Sequence, residues 1–319
     1  MTPSDTNMLV SVCLQTYQQA AFIRQAIDSV LAQETDFPFE ILIGEDDSTD
    51  GTREICQEYA ERFPGRIRLF LRHEQEKIYI NGVKTGRFNF LSNLQAARGK
   101  YIALLDGDDY WPDTRKLQKQ VDALEKDPSL SICFSQVAIE QEGVLRPYKA
   151  VRGTKNIFSA RDLALNCFIQ TCAILFRNPG FTHVPAHFYE TPVLDYALYL
   201  YLASKGKILY LKEAKAVYRF HAQGFWTLTQ KEEQVRKLWL FLDRVIPEYS
   251  GHVQEALVMQ RRRLIRTLVK RHIRLGEKQK LAALLKEIEQ RSPKDYPSTA
   301  YLMINRFRYQ VKGLFKKSS

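Results

Sequence analysis

The chain has 319 residues, 45% of them apolar, which excludes a disordered protein and suffices for one large α/β domain plus an appendage. Its five cysteines are scattered without a C-x-x-C pair and read as buried packing thiols of a reducing compartment rather than a disulfide framework. The net charge of +11 is unevenly placed: residues 231–319 hold 21 Lys and Arg against 9 Asp and Glu, and residues 1–230 hold 26 against 27. A balanced front part therefore precedes a basic tail suited to anionic lipid, nucleic acid or an acidic partner.

Met1 to Asn7 is polar, and the apolar run after it is only of strand length, so the start resembles neither a signal peptide nor a spanning helix; a cytoplasmic protein is expected. Met8–Leu14 predicts a first strand. Phe22, Ile23, Ala26, Ile27, Val30 and Leu31 then recur at helical spacing. Phe39–Gly44 predicts a second strand, and Ile55, Cys56, Tyr59, Ala60 and Phe63 mark a second helical face. Arg66–Leu71 and Tyr101–Leu105 supply two more strands, and this alternation implies βαβ units in a mostly parallel sheet. Ligands of such sheets bind beyond the carboxyl ends of the strands. Glu74 to Asn89 is polar without a clear period and reads as a loop, either bent over a site or a plain surface excursion.

Beyond residue 109 the pattern predicts a helix over Lys116–Glu125, strands over Ser131–Ile139 and Thr171–Phe176, a helix over Asp195–Ala203 and a strand over Ala214–His221. After Thr229 the sequence is helical in character, with stripes such as Leu257, Leu264, Ile265 and Leu268. The expected organisation is a domain over residues 1–230, with halves 1–113 and 114–230, followed by a basic helical region over 231–319.

Carboxylates gather where strands should end. Glu45-Asp46-Asp47-Ser48-Thr49-Asp50-Gly51-Thr52 follows the second strand; a helix cap explains Asp50 or Thr52 but not three consecutive acids behind a buried strand. Asp106-Gly107-Asp108-Asp109 follows the apolar Tyr101–Leu105. Carboxylates two apart on extended chain share a side, the intervening Gly lets a ligand approach, and a hard divalent cation would relieve their repulsion. An exposed acidic turn before a Trp-Pro helix start would use the same residues.

These blocks, together with Ser11-Val12-Cys13-Leu14-Gln15-Thr16-Tyr17, resemble the nucleotide-sugar-binding half of the family 2 glycosyltransferases, in the same order and at comparable spacing. The resemblance implies a GT-A fold: an α/β, mostly parallel Rossmann-like sheet flanked by helices, here with a C-terminal helical extension. It also implies an inverting, metal-dependent transfer of a sugar from a nucleotide-sugar, with UDP favoured. The acceptor would be a hydroxyl of a saccharide or lipid-linked saccharide, as in surface polysaccharide synthesis.

By the same resemblance Thr16, Tyr17, Glu45 and Asp46 line the nucleotide pocket, Asp106 and Gly107 lie by the ribose and diphosphate, and Asp108 binds Mn2+ or Mg2+. The family's usual Asp-Asp-Gly-Ser is Glu45-Asp46-Asp47-Ser48 here, which leaves the loop conformation open. Asp195-Tyr196-Ala197-Leu198 resembles the family's acid before a helix and makes Asp195 the expected catalytic base, although an N-cap would look the same. Tyr218-Arg219-Phe220-His221 resembles a segment in which the His completes the metal shell and Arg219 neutralises phosphate.

The basic tail, with Arg261-Arg262-Arg263, Lys270-Arg271 and Arg306, Arg308, Lys312, Lys316 and Lys317, suits a peripheral contact with an anionic membrane or a solvated bundle; nucleic acid is not expected. Two other classes remain at this point: an inactive nucleotide-binding scaffold of the same fold, and another metal-dependent nucleotidyltransferase. The second lacks its usual Gly-rich loop after the first strand.

Overall fold

The computed structural model describes residues 8–80, 82–148, 151, 153–221 and 230–295. Two compact units divide the chain: Met1–Leu163 with Cys167–Glu190 and Leu194–Thr227, and a second made of Ala164–Asn166, Thr191–Val193 and Leu228–Ser319.

The first unit is built on a sheet that starts from β1 (Val10–Thr16), β2 (Phe39–Glu45) and β3 (Ile67–Leu71). Every residue of β2 is buried, as expected of a strand covered on both faces. The helices α1 (Ile23–Leu31) and α2 (Thr52–Arg62) connect these strands, and α1 turns Ile23, Ala26, Ile27 and Val30 into the core. Next come a hairpin of β4 (Ile78–Ile80) and β5 (Val83–Thr85), helix α3 (Arg87–Ala96) and strand β6 (Tyr101–Asp106). The polar stretch read as a loop thus contains a hairpin and the start of a helix.

The back half of the unit adds α4 (Lys116–Lys126), β7 (Leu130–Gln141), β8 (Val144–Tyr148), β9 (Ile157–Phe158), α5 (Ala160–Leu165), β10 (Ile174–Arg177), α6 (Leu194–Ala203) and β11 (Lys207–Arg219). Strand order is β3-β2-β1-β6-β10-β7-β11-β9, with β8 paired to β7. The pairs among β3, β2, β1 and β6 are parallel, whereas β10 runs antiparallel to both β6 and β7. The expected mostly parallel sheet is therefore parallel from β3 to β6 and mixed beyond β6.

Chain order reverses around β1, which lies between β2 and β6, and this is where an α/β sheet opens a ligand crevice. The register sets Thr16 beside Glu45 and Gln15 beside Asp106, so three strand ends finish at one edge. Close approach is built into this layer: a Cβ on Gly44 would meet Asn89 Oδ1 at 2.0 Å, and the absence of one lets Asn89 donate to the Gly44 carbonyl at 2.7 Å.

The second unit is helical, with α7 (Lys231–Val245), α8 (Gly251–Leu275) and α9 (Lys278–Arg291). Trp239, Ile265, Leu268, Val269, Leu281, Leu284 and Ile288 form its core. The basic residues are not simply a lipid-facing stripe. Arg261 and Arg262 grip Asp295 at 2.6 and 2.7 Å, and Arg271 pairs with Glu232 at 2.9 Å. Arg306, Arg308, Lys312, Lys316 and Lys317 lie outside the described residues. None of the described helices is long and apolar enough to cross a membrane.

Candidate active site

The loop after β2 is fixed before any ligand enters. Glu45 is fully buried and turns its carboxylate inward, accepting the Ser48 N–H at 2.7 Å and the Arg53 Nε–H at 2.5 Å. Asp47 takes φ 67°, the left-handed conformation that a Gly in the family's pattern would adopt without strain, and its carboxylate pairs with Arg53 at 3.3 Å. The departure at Asp47 is thus accommodated and the turn retained. Asp50 accepts the Ala20 and Thr52 N–H groups and Ser48 Oγ accepts the Gln18 N–H, tying this loop to the one after β1.

Asp46, 4% exposed, points elsewhere. Its carboxylate pairs with Lys77 at 2.5 Å, and Lys77 also donates to the Asp46 carbonyl. The same ammonium lies 4.6 Å from the centre of the Tyr17 ring, which is 44% exposed. Burial pushes the Asp46 carboxyl above its ordinary range, and Lys77 works against that. Tyr17, Asp46 and Lys77 therefore form one cluster, an exposed aromatic ring over a buried ion pair. Lys77 has no periodic signal around it in sequence.

Beside it, Thr16 donates to Gln19 Oε1 at 2.9 Å, and both side chains crowd Gly107, where a Cβ would stand 2.5 Å from Gln19 and 2.7 Å from Thr16. Only Gly fits between them, so the Asp106-Gly107-Asp108 turn lies flat against the end of β1. The Gly107 N–H donates to the Gln15 carbonyl at 2.8 Å.

The acid loop itself is held from β11. The Arg219 N–H donates to Asp109 Oδ1 at 2.8 Å, its Nη1 donates to the Asp108 carbonyl at 2.9 Å, and its Nη2 donates to Gln25. The guanidinium sits between the rings of Phe22 and Tyr110, 5.1 and 4.7 Å from their centres, and only 8% of Arg219 is exposed. It is engaged in shaping the loop. His221 Nε2 lies 3.0 Å from Asp108 Oδ2, its ring 4.6 Å from Phe22, and its Nδ1 is buried without a partner.

Asp195 opens α6 and is half-buried. Its Oδ1 accepts the Tyr196 N–H at 2.8 Å, a local contact within the first turn. It is also close enough to Asp106 for their charges to act on one another. The Asp106 carboxyl is raised by burial and then by Asp108 and Asp195, and Asp109 by burial, Asp108 and Asp106; burial likewise raises Asp195. Opposed carboxylates left short of cations are a mark of functional sites. Among the described residues no three His, Cys, Asp or Glu side chains are grouped to hold a metal by themselves. Asp108 and His221 form a two-donor O/N seat, compatible with a hard cation that takes its other ligands from a diphosphate.

The profile of the glycosyl transferase family 2 matches residues 11–179, more than half of the chain. The chain belongs to the family 2 glycosyltransferases. The uncharacterized Mycobacterium tuberculosis protein Rv1520 is 36% identical over 232 residues, which span 72% of this chain and 63% of that protein. The Escherichia coli UDP-Glc:alpha-D-GlcNAc-diphosphoundecaprenol beta-1,3-glucosyltransferase WfaP is 28% identical over 230 residues, 72% of this chain and 84% of WfaP. Among solved structures, S. aureus TarS 1–349 in complex with UDP-GlcNAc superposes with a TM-score of 0.67 at 15% identity, covering 98% of this chain and 93% of that one, a likeness of fold.

Proposed function

We propose that this glycosyltransferase moves a sugar, with inversion, from a UDP-sugar to a hydroxyl of a saccharide or lipid-linked saccharide in surface polysaccharide synthesis. The observation that carries the reading is the meeting of Asp106, the Asp108–His221 pair and Asp195 at one edge of the sheet, each from a different element. WfaP, with its UDP-Glc donor and diphosphoundecaprenol-linked acceptor, supports the donor and acceptor classes.

In this reading Tyr17 and Asp46 hold the base, with Lys77 beside them, and Thr16, Asp106 and Gly107 line the ribose and diphosphate. Asp108 and His221 would hold Mn2+ or Mg2+, and a cation there would supply charge neutralisation to the departing diphosphate. Glu45 and Arg219 serve from beneath, by fixing the two loops. Asp195 accepts the proton of the acceptor hydroxyl while that oxygen bonds to the anomeric carbon and the nucleoside diphosphate departs from the opposite face. The domain halves 1–113 and 114–230 then correspond to donor and acceptor sides, and the basic region 231–319 offers positive charge to an anionic membrane surface.

The test is a screen of nucleotide-sugars for metal-dependent turnover by the full chain, Asp108→Ala and Asp195→Asn. Loss in both variants, and an inverted anomeric product by NMR, is the expected result. Unchanged turnover in both, or a retained product, overturns it.

A further inference from the structure

Strands β7 and β11 run parallel and end together, with Arg219 registered against Glu140. β7 then turns back into β8 through Glu142 and Gly143, at φ 52° and 76°, the left-handed pair of a two-residue hairpin turn. Between that turn, the end of β11 and Phe22 ahead of α1 lies a cavity of about 460 Å3, within the range of about 300–1,000 Å3 of small-molecule sites. Phe22, Phe220, Glu140, Glu142, Arg219 and His221 line it.

This lining selects among ligand classes. Arg219 is already committed to the Asp108 carbonyl and to Gln25, with Glu140 at 3.7 Å. Glu142 is exposed, and its carboxylate has no ion pair among the described residues. A phosphate or nucleotide would therefore bring like charge to two carboxylates, and a cation would meet Arg219. An apolar ligand would strip water from the acids without giving them donors. A neutral sugar meets both demands: its hydroxyls donate to carboxylates, and the C–H face of its ring packs on an aromatic side chain. Phe220, 41% exposed at the cavity, offers such a face.

The position of the cavity narrows which sugar it takes. Arg219 and His221 are shared with the acid loop, since Arg219 Nη1 donates to the Asp108 carbonyl at 2.9 Å and His221 Nε2 lies 3.0 Å from Asp108 Oδ2. Apart from Phe22, the wall comes from β7, its hairpin turn and the end of β11, not from the loops after β1 and β2 that carry Tyr17 and Asp46.

We propose that this cavity is a carbohydrate subsite that holds a neutral sugar ring of the saccharide acceptor beside Asp108, with Phe220 packed against the ring and Glu142 accepting its hydroxyls. The assignment to the acceptor rests on the transfer reading above; the choice of a neutral sugar rests on the lining.

The experiment is saturation-transfer-difference NMR on the full chain with cellobiose, maltose and N,N′-diacetylchitobiose, titrated with and without saturating UDP and Mg2+. The proteins are the wild type, Phe220→Ala, Glu142→Gln and, as a control, Leu145→Ala, which lies in β8 of the same hairpin but outside the lining. At least one disaccharide should bind the wild type and stay bound when UDP is added. Phe220→Ala should weaken it roughly two- to tenfold, the worth of an aromatic contact, and Glu142→Gln about threefold, as a charge-assisted bond becomes a neutral one. Leu145→Ala should bind as the wild type does, and all four proteins should hold UDP within about twofold of one another. The Phe220 N–H donates to the Glu140 carbonyl at 2.8 Å, a backbone bond that alanine keeps, and Glu142→Gln carries the test if Phe220→Ala does not fold. Binding of none of the three disaccharides, equal binding by all four proteins, or displacement by UDP overturns the proposal. Displacement by UDP-glucose but not by UDP gives the seat to the donor's own sugar and overturns the acceptor assignment. Unchanged turnover in Asp108→Ala and Asp195→Asn would remove the transfer reading instead, and disaccharide binding weakened in the Phe220 and Glu142 variants would still identify a carbohydrate site.

Discussion

The two units of the chain bury carboxylates in opposite company. In the helical unit the Asp295 side chain is fully buried between Arg261 and Arg262, and Arg261 also reaches Asp243 at 2.9 Å. In the sheet unit Asp109 is buried with one oxygen on a backbone N–H and the Cys172 thiol beside it, next to Asp106 and Asp108. Asp295 is satisfied and fixes a helical bundle. Among the described residues the cluster at the end of β6 has no such pair of guanidiniums on its carboxylates; Asp109 has the Arg219 N–H and Asp108 has His221. Burial alone does not separate structure from function; the presence or absence of compensating charge does.

The sharpest way to break that contrast is at Asp195 and Asp108. Asp195→Asn should lower kcat by about 10²–10⁴-fold, the usual contribution of a general base, with UDP affinity and melting temperature near wild type. Titration calorimetry with UDP and differential scanning calorimetry would check both. Asp108→Ala should abolish the metal dependence of UDP binding rather than the fold.

In the helical unit the signs reverse. Asp295→Ala removes the shared partner of Arg261 and Arg262 and should cost about 1–3 kcal/mol by chemical denaturation, since Arg261 keeps Asp243 and Arg262 is part-exposed. Leu284→Ala, in the core of the same bundle, should cost about 2–5 kcal/mol. Turnover of the folded fraction would hold in each.

A smaller effect is expected from acid. The Asp195 carboxyl is raised by burial, so the base is lost by protonation as pH falls through a value above the ordinary carboxylate range. The kcat profile should show its acid limb there, and a limb at the ordinary range would contradict the buried setting. The smallest is flotation with anionic vesicles, which should retain the chain weakly and release it in salt, because several of the basic residues are already paired within the bundle.

Much of the carboxyl edge of the parallel strands was legible from sequence because its signal is sharp: an apolar run such as Tyr101–Leu105 stops at a carboxylate, and the parallel register brings such stops together. Glu45 shows the limit of that signal. It stands at a strand end like Asp106, but its side chain turns under the loop to Ser48 and Arg53, a direction no linear pattern encodes.

Helix α3 was illegible for another reason. Its buried residues include Arg87, Asn89 and Asn93, whose polar atoms serve Phe188, Gly44 and Leu14 carbonyls, so the apolar repeat that announces a helix is missing. Lys77, which pairs with Asp46, lies in that polar stretch as well. The start of β11 was missed because Lys207, Lys212 and Glu213 interrupt it and its pairing with β7 shifts between Leu211 and Lys215.

The acid loop at 106–109 is completed by a residue 110 positions further on, since Arg219 supplies both the N–H on Asp109 and the guanidinium on the Asp108 carbonyl. During synthesis the parallel half of the sheet leaves the ribosome first and can fold around its own apolar strands. Its carboxylates then remain without the clasp that shapes them until β11 has been translated and docked. A nascent or prematurely terminated chain ending before Arg219 carries the acids but not the clasp that holds them.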